Sequence, residues 1–274
     1  MSDAIPEFRK PDAAMSGISA FASGSVARSR AEVGLILLTA VMVIVTLEIT
    51  LRWFGVPDYI LPTPSAVFLA LIKEFPLIAP HLGYTLIELF AGFAIGASIG
   101  LILAAVITQF PFAEKIIAPY ILILVTTPML ALVPLLILRF GFGFTPRIIA
   151  VALAAGPMVM INAATGFRRV DAAKIALARS YGASTLQIFW KIRAPMALPM
   201  ILVGLMIGAI FGLLTAVGAE MVGGGFGLGN RLTTYSSMIN MPEFFAVIAI
   251  LSTLGLLIYV FFFFVGKKWA SWEA

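Results

Sequence analysis

Six stretches of the chain run with almost no polar interruption: residues 33–51, 85–108, 116–138, 148–167, 195–219 and 244–266. Each is long enough to cross a hydrocarbon layer of ~30 Å at ~1.5 Å per helical residue. The last four contain no Asp, Glu, Lys or Arg. The pattern predicts an all-α membrane protein with six transmembrane helices, divided into an N-terminal tail (1–32), a membrane domain (33–267) with one long polar loop (168–194), and a short C-terminal tail (268–274). The N-terminal tail lacks the apolar core and small-residue cleavage site of a secretory signal, so the first span is expected to stay as an anchor.

Breakers and small residues give the spans their expected shapes. Pro119, Pro128 and Pro134 fall in the third window and Gly156-Pro157 in the fourth. Each proline removes a backbone donor and predicts a kink, tolerable in lipid only against protein or a wet cavity. Gly92, Gly96 and Gly100 form one small-residue ridge, and Gly204, Gly208 and Gly212 form another, as close helix packing requires.

Charge supplies orientation. With both termini in the cytoplasm, cytoplasmic segments hold Arg9, Lys10, Arg28, Arg30, Lys115, Arg168, Arg169, Lys174, Arg179, Lys191, Arg193, Lys267 and Lys268, leaving only Arg52, Lys73, Arg139, Arg147 and Arg231 opposite. The positive-inside rule predicts this bias for N-in, C-in topology. The net charge of +5 therefore reads as membrane orientation, and no nucleic-acid partner is implied. Without cysteine, disulfides and thiolate chemistry are excluded.

The long loop carries its own folding signals. Asp171 can cap a helix over Ala172–Tyr181, which Gly182 can end in a left-handed conformation. Ser184 and Gln187 have capping-box spacing for a second helix through Leu186, Phe189, Trp190 and Ile192, which Pro195 is expected to stop. Such an element could lie on anionic lipid or present a rigid helix to a soluble partner.

The order Ala176-Leu177-Ala178, three residues, Gly182, nine residues, Ile192, two residues, Pro195 resembles the EAA loop of ABC-importer permeases. That family's pattern is E-A-A, three residues, G, nine residues, I, one residue, L-P. Two positions depart from it: Ala176 replaces the glutamate and Ala194 the leucine. Asp171-Ala172-Ala173 lies too far before Gly182 to serve instead. "LPTPSAVFLAL", "HLGYTLIELFAGFAIGASIG", "TTPMLALVPLLILRFGFGFTPRI" and "GAEMVGGGFGLGNRL" are similar, in order, to the nitrate, sulfonate and taurine branch of these permeases.

The resemblance implies a type I ABC importer permease fold in a bacterial inner membrane, with a cytoplasmic coupling helix. It implies two ATPase subunits using ATP with Mg, a second copy of this chain, and an extracytoplasmic solute-binding protein; this chain itself binds no cofactor. Ala176, Gly182, Leu186, Phe189, Trp190, Ile192 and Pro195 are then the ATPase-coupling candidates. Docking is expected to rest on Leu186, Phe189 and Trp190. Nitrate, taurine or alkanesulfonate is the implied cargo, with a thiamine precursor, riboflavin or an aromatic acid as the alternative.

From the residues themselves, Thr126, Thr127, Met129, Asn162, Thr215 and Glu220 are the polar or soft groups most able to meet a passing solute. Glu220 stands out because the glycines after it permit a tight or flexible loop. Glu48 and Glu88 are expected at solvated span ends, Arg139 and Arg147 at the outer mouth, and His81 in a solvated loop. "GGGFGLG" lacks the G-x-G-x-x-G spacing, and no phosphate-loop motif occurs, so ATP must act through a partner. An intramembrane hydrolase would need a nucleophile and base within a span, which the sequence does not offer. An ion-coupled carrier would place carboxylates near mid-membrane, where spans three to six have none.

Overall fold

The protein is described by a computed structural model covering residues 30–269. Of the two expected tails, residues 1–29 and 270–274 lie outside the described residues; the remainder continues the terminal helices. The chain divides into two units, Met1–Gly55 and Val56–Ala274. In the first, α1 (Arg30–Trp53) is a 24-residue apolar helix with an Arg52–Glu48 ion pair of 2.6 Å one turn apart near its end.

The second unit begins with α2 (Pro64–Gln109). Thr63 accepts from the Ala66 N–H and Pro64 occupies the first turn, where its missing donor costs nothing. The expected second span, 85–108, is only the last half of this 46-residue helix. Pro76 and Pro80 lie inside it without ending it. At roughly 1.5 Å per residue, α2 is about twice as long as the hydrocarbon layer is thick.

The third expected span is broken. α3 (Pro111–Thr126) and α4 (Met129–Phe140) meet at 96°. Pro119 and Pro134 stay inside their helices, and only Pro128 breaks the path. Thr127 takes the extended conformation (φ −76°, ψ 126°) that a residue before proline prefers. The two carbonyls one turn before the break each gain a side-chain donor: Thr126 Oγ1 donates to Leu122 O at 3.0 Å, and Thr127 Oγ1 donates at 2.7 Å to Ile123 O, which also accepts from the Thr127 N–H at 3.0 Å. The threonine hydroxyls therefore add no unpaired donor to the break.

α5 (Phe144–Arg168) is the centre of the second unit. Its buried face is mostly alanine, glycine and valine, and both glycine ridges pack on it. A Cβ at Gly96 of α2 would come within 2.5 Å of Ala152 O, and one at Gly208 within 2.8 Å of Val159 Cγ2. Both seams therefore lie within this chain and bring backbones into near contact.

After α5, Asp171 accepts from Ala173 N–H at 2.8 Å and starts α6 (Ala172–Ser180). Gly182 has φ +79° and ends this segment as expected. Ser184 and Gln187 form both bonds of a capping box at the head of α7 (Thr185–Ile188). The expected stop at Pro195 does not occur. α7 widens into a π-helical turn, Phe189–Arg193, that runs directly into α8 (Ala194–Gly223). Arg193 and Ala194 keep helical angles, and the Ala194 N–H reaches back to Phe189 O across the wider turn, the π-bulge geometry that lets a helix run on. The following segment, expected to be loop, contains a short helix, α9 (Leu228–Ser237), before α10 (Met241–Trp269).

Candidate functional site

Three places collect the chemistry-bearing residues. The first is the α6–α7 element. Ala176 and Gly182 are exposed, Ile192 is half-buried and Pro195 exposed. Leu186 and Trp190 present 68% and 64% of their surface. Phe189 does not share that face. It is buried against Phe167, with ring centroids 5.1 Å apart, in a cluster with Ala104 and Ile107 of α2, Met160, Ala163 and Ala164 of α5, and Ala197 of α8. The expectation that Phe189 offers a docking side chain is corrected: in a continuous helical turn it falls on the inner face when Leu186 and Trp190 fall on the outer one.

The second place is a cavity of about 390 Å³ at the α3–α4 break. Thr126, Thr127, Pro128 and Met129 line one side; Pro157 and Met158 of α5 and Phe211, Leu214 and Thr215 of α8 line the other. Four of the six pathway candidates, Thr126, Thr127, Met129 and Thr215, meet here. Asn162 does not line the cavity; its amide donates to Met158 O at 2.8 Å. The lining contains no charged side chain. Each threonine hydroxyl donates to its own helix, so it turns only acceptor lone pairs to a visitor. α4, in contrast, starts at the cavity with no side-chain cap; the Ala131 N–H donates to Pro128 O at 2.9 Å, and the Met129 and Leu130 N–H groups before it have no partner within the helix.

The third place is a buried ionic cluster where α2 passes Glu88, α5 begins and α8 ends. Arg147 is 2% exposed, and Glu88 and Glu220 are fully buried. Arg147 Nη1 donates to Glu88 Oε1 at 2.9 Å and to Phe226 O at 3.1 Å, while Nη2 donates to Gly224 O. Its guanidinium lies 4.2 Å from the centre of the Phe226 ring, which Tyr84 and Phe144 flank at 5.0 and 4.8 Å. Glu220 accepts from Thr85 Oγ1 at 2.6 Å and Gly229 N–H at 2.7 Å. Thr85 accepts from Leu228 N–H at 2.9 Å, and His81 Nδ1 accepts from Gly227 N–H at 3.1 Å.

Several expectations are corrected by this cluster. Glu220 is tied into it and is absent from the cavity lining. Glu88 is in no solvated interface and Arg147 is inside the bundle. His81 belongs to α2 and holds a backbone amide. The glycine stretch is a fixed turn, with φ of +62°, +82° and +97° at Gly224, Gly225 and Gly227, conformations that residues with a Cβ avoid. One sequence signal pointed here: isolated acids and a base at span ends normally imply partners for one another.

Helices built to span lipid, packed on a glycine-seamed centre, with an uncharged cavity at a broken span, define an integral-membrane permease. Residues 96–270 match the family described as binding-protein-dependent transport system inner membrane component, and the chain belongs to it. It is 31% identical to a probable ABC transporter permease protein of Haemophilus influenzae over 74% of this chain and 83% of that one. It is 32% identical to the putative aliphatic sulfonates transport permease SsuC of Bacillus subtilis, covering 78% of each, and 29% identical to the formylaminopyrimidine transport permease ThiX of Halalkalibacterium halodurans, covering 79% and 86%. The resemblance to the sulfonate and taurine branch is borne out. An inward-facing MetNI methionine ABC transporter structure superposes with a TM-score of 0.65 at 19% identity, over 72% of this chain and 97% of that chain. The fold is that of a type I ABC importer permease, and the chain is an ABC importer permease subunit.

Proposed function

We propose that this permease passes a small organic solute carrying an anionic group, of the taurine or alkanesulfonate class, into the cytoplasm by alternating access. A partner ATPase supplies the energy and an extracytoplasmic binding protein delivers the solute. The topology is N-in and C-in, as charge predicts, so the ionic cluster faces outward and the α6–α7 element inward. Two copies of the chain and two ATPase subunits make the working assembly.

The observation that carries the cargo reading is the break at Thr127–Pro128. Broken membrane helices present positive half-helix ends to anionic solute groups, and α4 begins uncapped in the cavity wall. Acceptor carbonyls near the end of α3 suit the ammonium of a zwitterion such as taurine. A second reading, an uncharged heterocycle such as a thiamine precursor, is favoured by Phe211, Met129 and Met158 in the same lining. Uptake of labelled taurine, butanesulfonate and an aminopyrimidine by the reconstituted permease, ATPase and binding protein separates them. Strict ATP dependence with sulfonates preferred is the expected result; aminopyrimidine preference defeats the anion reading, and uptake indifferent to ATP but abolished by an uncoupler defeats the ATP-driven one.

A further inference from the structure

We propose that Arg147 is a positioning residue for transport: with Glu88 and Glu220 it forms a latch that clasps the 224–229 segment in the state seen here and releases it in the opposite state. The proposal rests on the reading that a partner ATPase drives this permease.

The ties are numerous and all converge on one short segment. Gly224 and Phe226 give their carbonyls to Arg147, while Gly227, Leu228 and Gly229 give their N–H groups to His81, Thr85 and Glu220. Five main-chain groups of the turn are therefore held by side chains of α2, α5 and α8. A loop needing only to connect α8 to α9 would leave those groups to water. Here one guanidinium joins the start of α5, the middle of α2 and the exit of α8 through the turn.

The clasp is also unbalanced, which marks it as a switch. Of two adjacent buried carboxyl groups only Glu88 is paired with the guanidinium, through Oε1, while its Oε2 accepts from neither Arg147 nor the turn. Glu220 is coupled to Glu88 both electrostatically and by a side-chain hydrogen bond, so a second acid stands next to the one that Arg147 holds. The adjacent second acid gives Arg147 an alternative partner, so it can pass from Glu88 to Glu220 as the helices shift. Gly225, the tip of the turn, is exposed with open space around its Cα, so a protein on this side can reach the segment and pull on it.

The native chain permits a test without substitution. Hydrogen–deuterium exchange is followed on the purified permease–ATPase complex with and without ATP-vanadate trapping. The amides of 227–229 are expected to exchange slowly in the untrapped complex and about tenfold or more faster when trapped, with 208–219 of α8 unchanged. Equal protection in both states overturns the latch and leaves a static tie. ATPase activity of the same sample reports separately on the ATP-driven reading. In the permease alone, Arg147→Lys, which keeps the charge but cannot span both carbonyls and Glu88, is expected to speed exchange of 227–229 about tenfold. In the complex it is expected to cut uptake more than ATP hydrolysis. Unchanged exchange in Arg147→Lys, or equal loss of uptake and hydrolysis, also overturns the proposal.

Discussion

Phe189 and Phe167 meet with ring centroids 5.1 Å apart and planes inclined by 49°, so the connecting element is anchored into the bundle through the residue directly before the exposed Trp190. Trp190 then stands edge-on to Phe189 at 5.4 Å with its outer surface free. The two adjacent aromatics divide the work: one holds the element in place and the other is available to a partner.

Separate substitutions should expose that division. Phe189→Ala removes a buried ring from a packed cluster and should cost about 3 kcal/mol or more, seen as a lower unfolding temperature in detergent. Trp190→Ser should leave that temperature nearly unchanged while reducing ATPase co-purification. Identical behaviour of the two variants would contradict the division.

The turn at Gly182 and the cap at Ser184 are testable at the backbone. Gly182→Ala forces a Cβ into φ +79° and should cost about 1 kcal/mol. Ser184→Ala removes the bond to Gln187 N–H and should also cost about 1 kcal/mol. Faster amide exchange over 185–190 in both variants, with the rest of the chain unaffected, is the expected signature.

Small-residue packing makes a sharp contrast between two glycines in helices. Gly96→Ala places a methyl 2.5 Å from Ala152 O, whereas the nearest atom to a Cβ at Gly255 is 4.0 Å away. Gly96→Ala should depress folded yield and melting temperature; Gly255→Ala should match the parent or exceed it slightly.

Two ion pairs should differ in the same way. Arg168 and Glu114 are 2.8 Å apart but 49% and 40% exposed, so Glu114→Gln should change stability by less than about 1 kcal/mol. Glu88→Ala leaves Arg147 buried without its carboxylate, which costs about 3–5 kcal/mol in comparable cases. Thermal unfolding of both variants in one detergent gives the comparison.

Filling the cavity should stop cargo without dismantling the assembly. Met129→Trp adds an indole to a space of about 390 Å³ and is expected to lower uptake about tenfold while the ATPase still co-purifies. Undiminished uptake would move the pathway elsewhere.

The spans were legible because hydrocarbon length is a strict ruler, and the caps at Asp171 and Ser184 because their signals are local. Pro128 and Pro195 were harder. A proline forbids one hydrogen bond but does not say how the chain compensates: beside two threonines it breaks a span, and after a widened turn it is absorbed. Phe189 was grouped with Leu186 and Trp190 because all three are large and apolar; that Phe167 and its neighbours bury the one between them is a tertiary contact, which local sequence does not reveal. Four of six pathway residues could be read as polar or soft groups near prolines. The partnership of Glu88, Arg147 and Glu220 joins positions 59 residues or more apart, and no local pattern encodes such a distance.

The uncharged lining of the cavity has an electrical consequence. Moving one elementary charge through a 100 mV membrane potential takes about 2.3 kcal/mol. With no Asp, Glu, Lys or Arg in that lining, rearrangement of the walls carries no gating charge of its own. A monovalent anion would then cross as the sole ion and feel the full voltage, whereas a zwitterion or neutral ring would leave uptake indifferent to it, so current recorded during turnover reads the cargo's net charge directly.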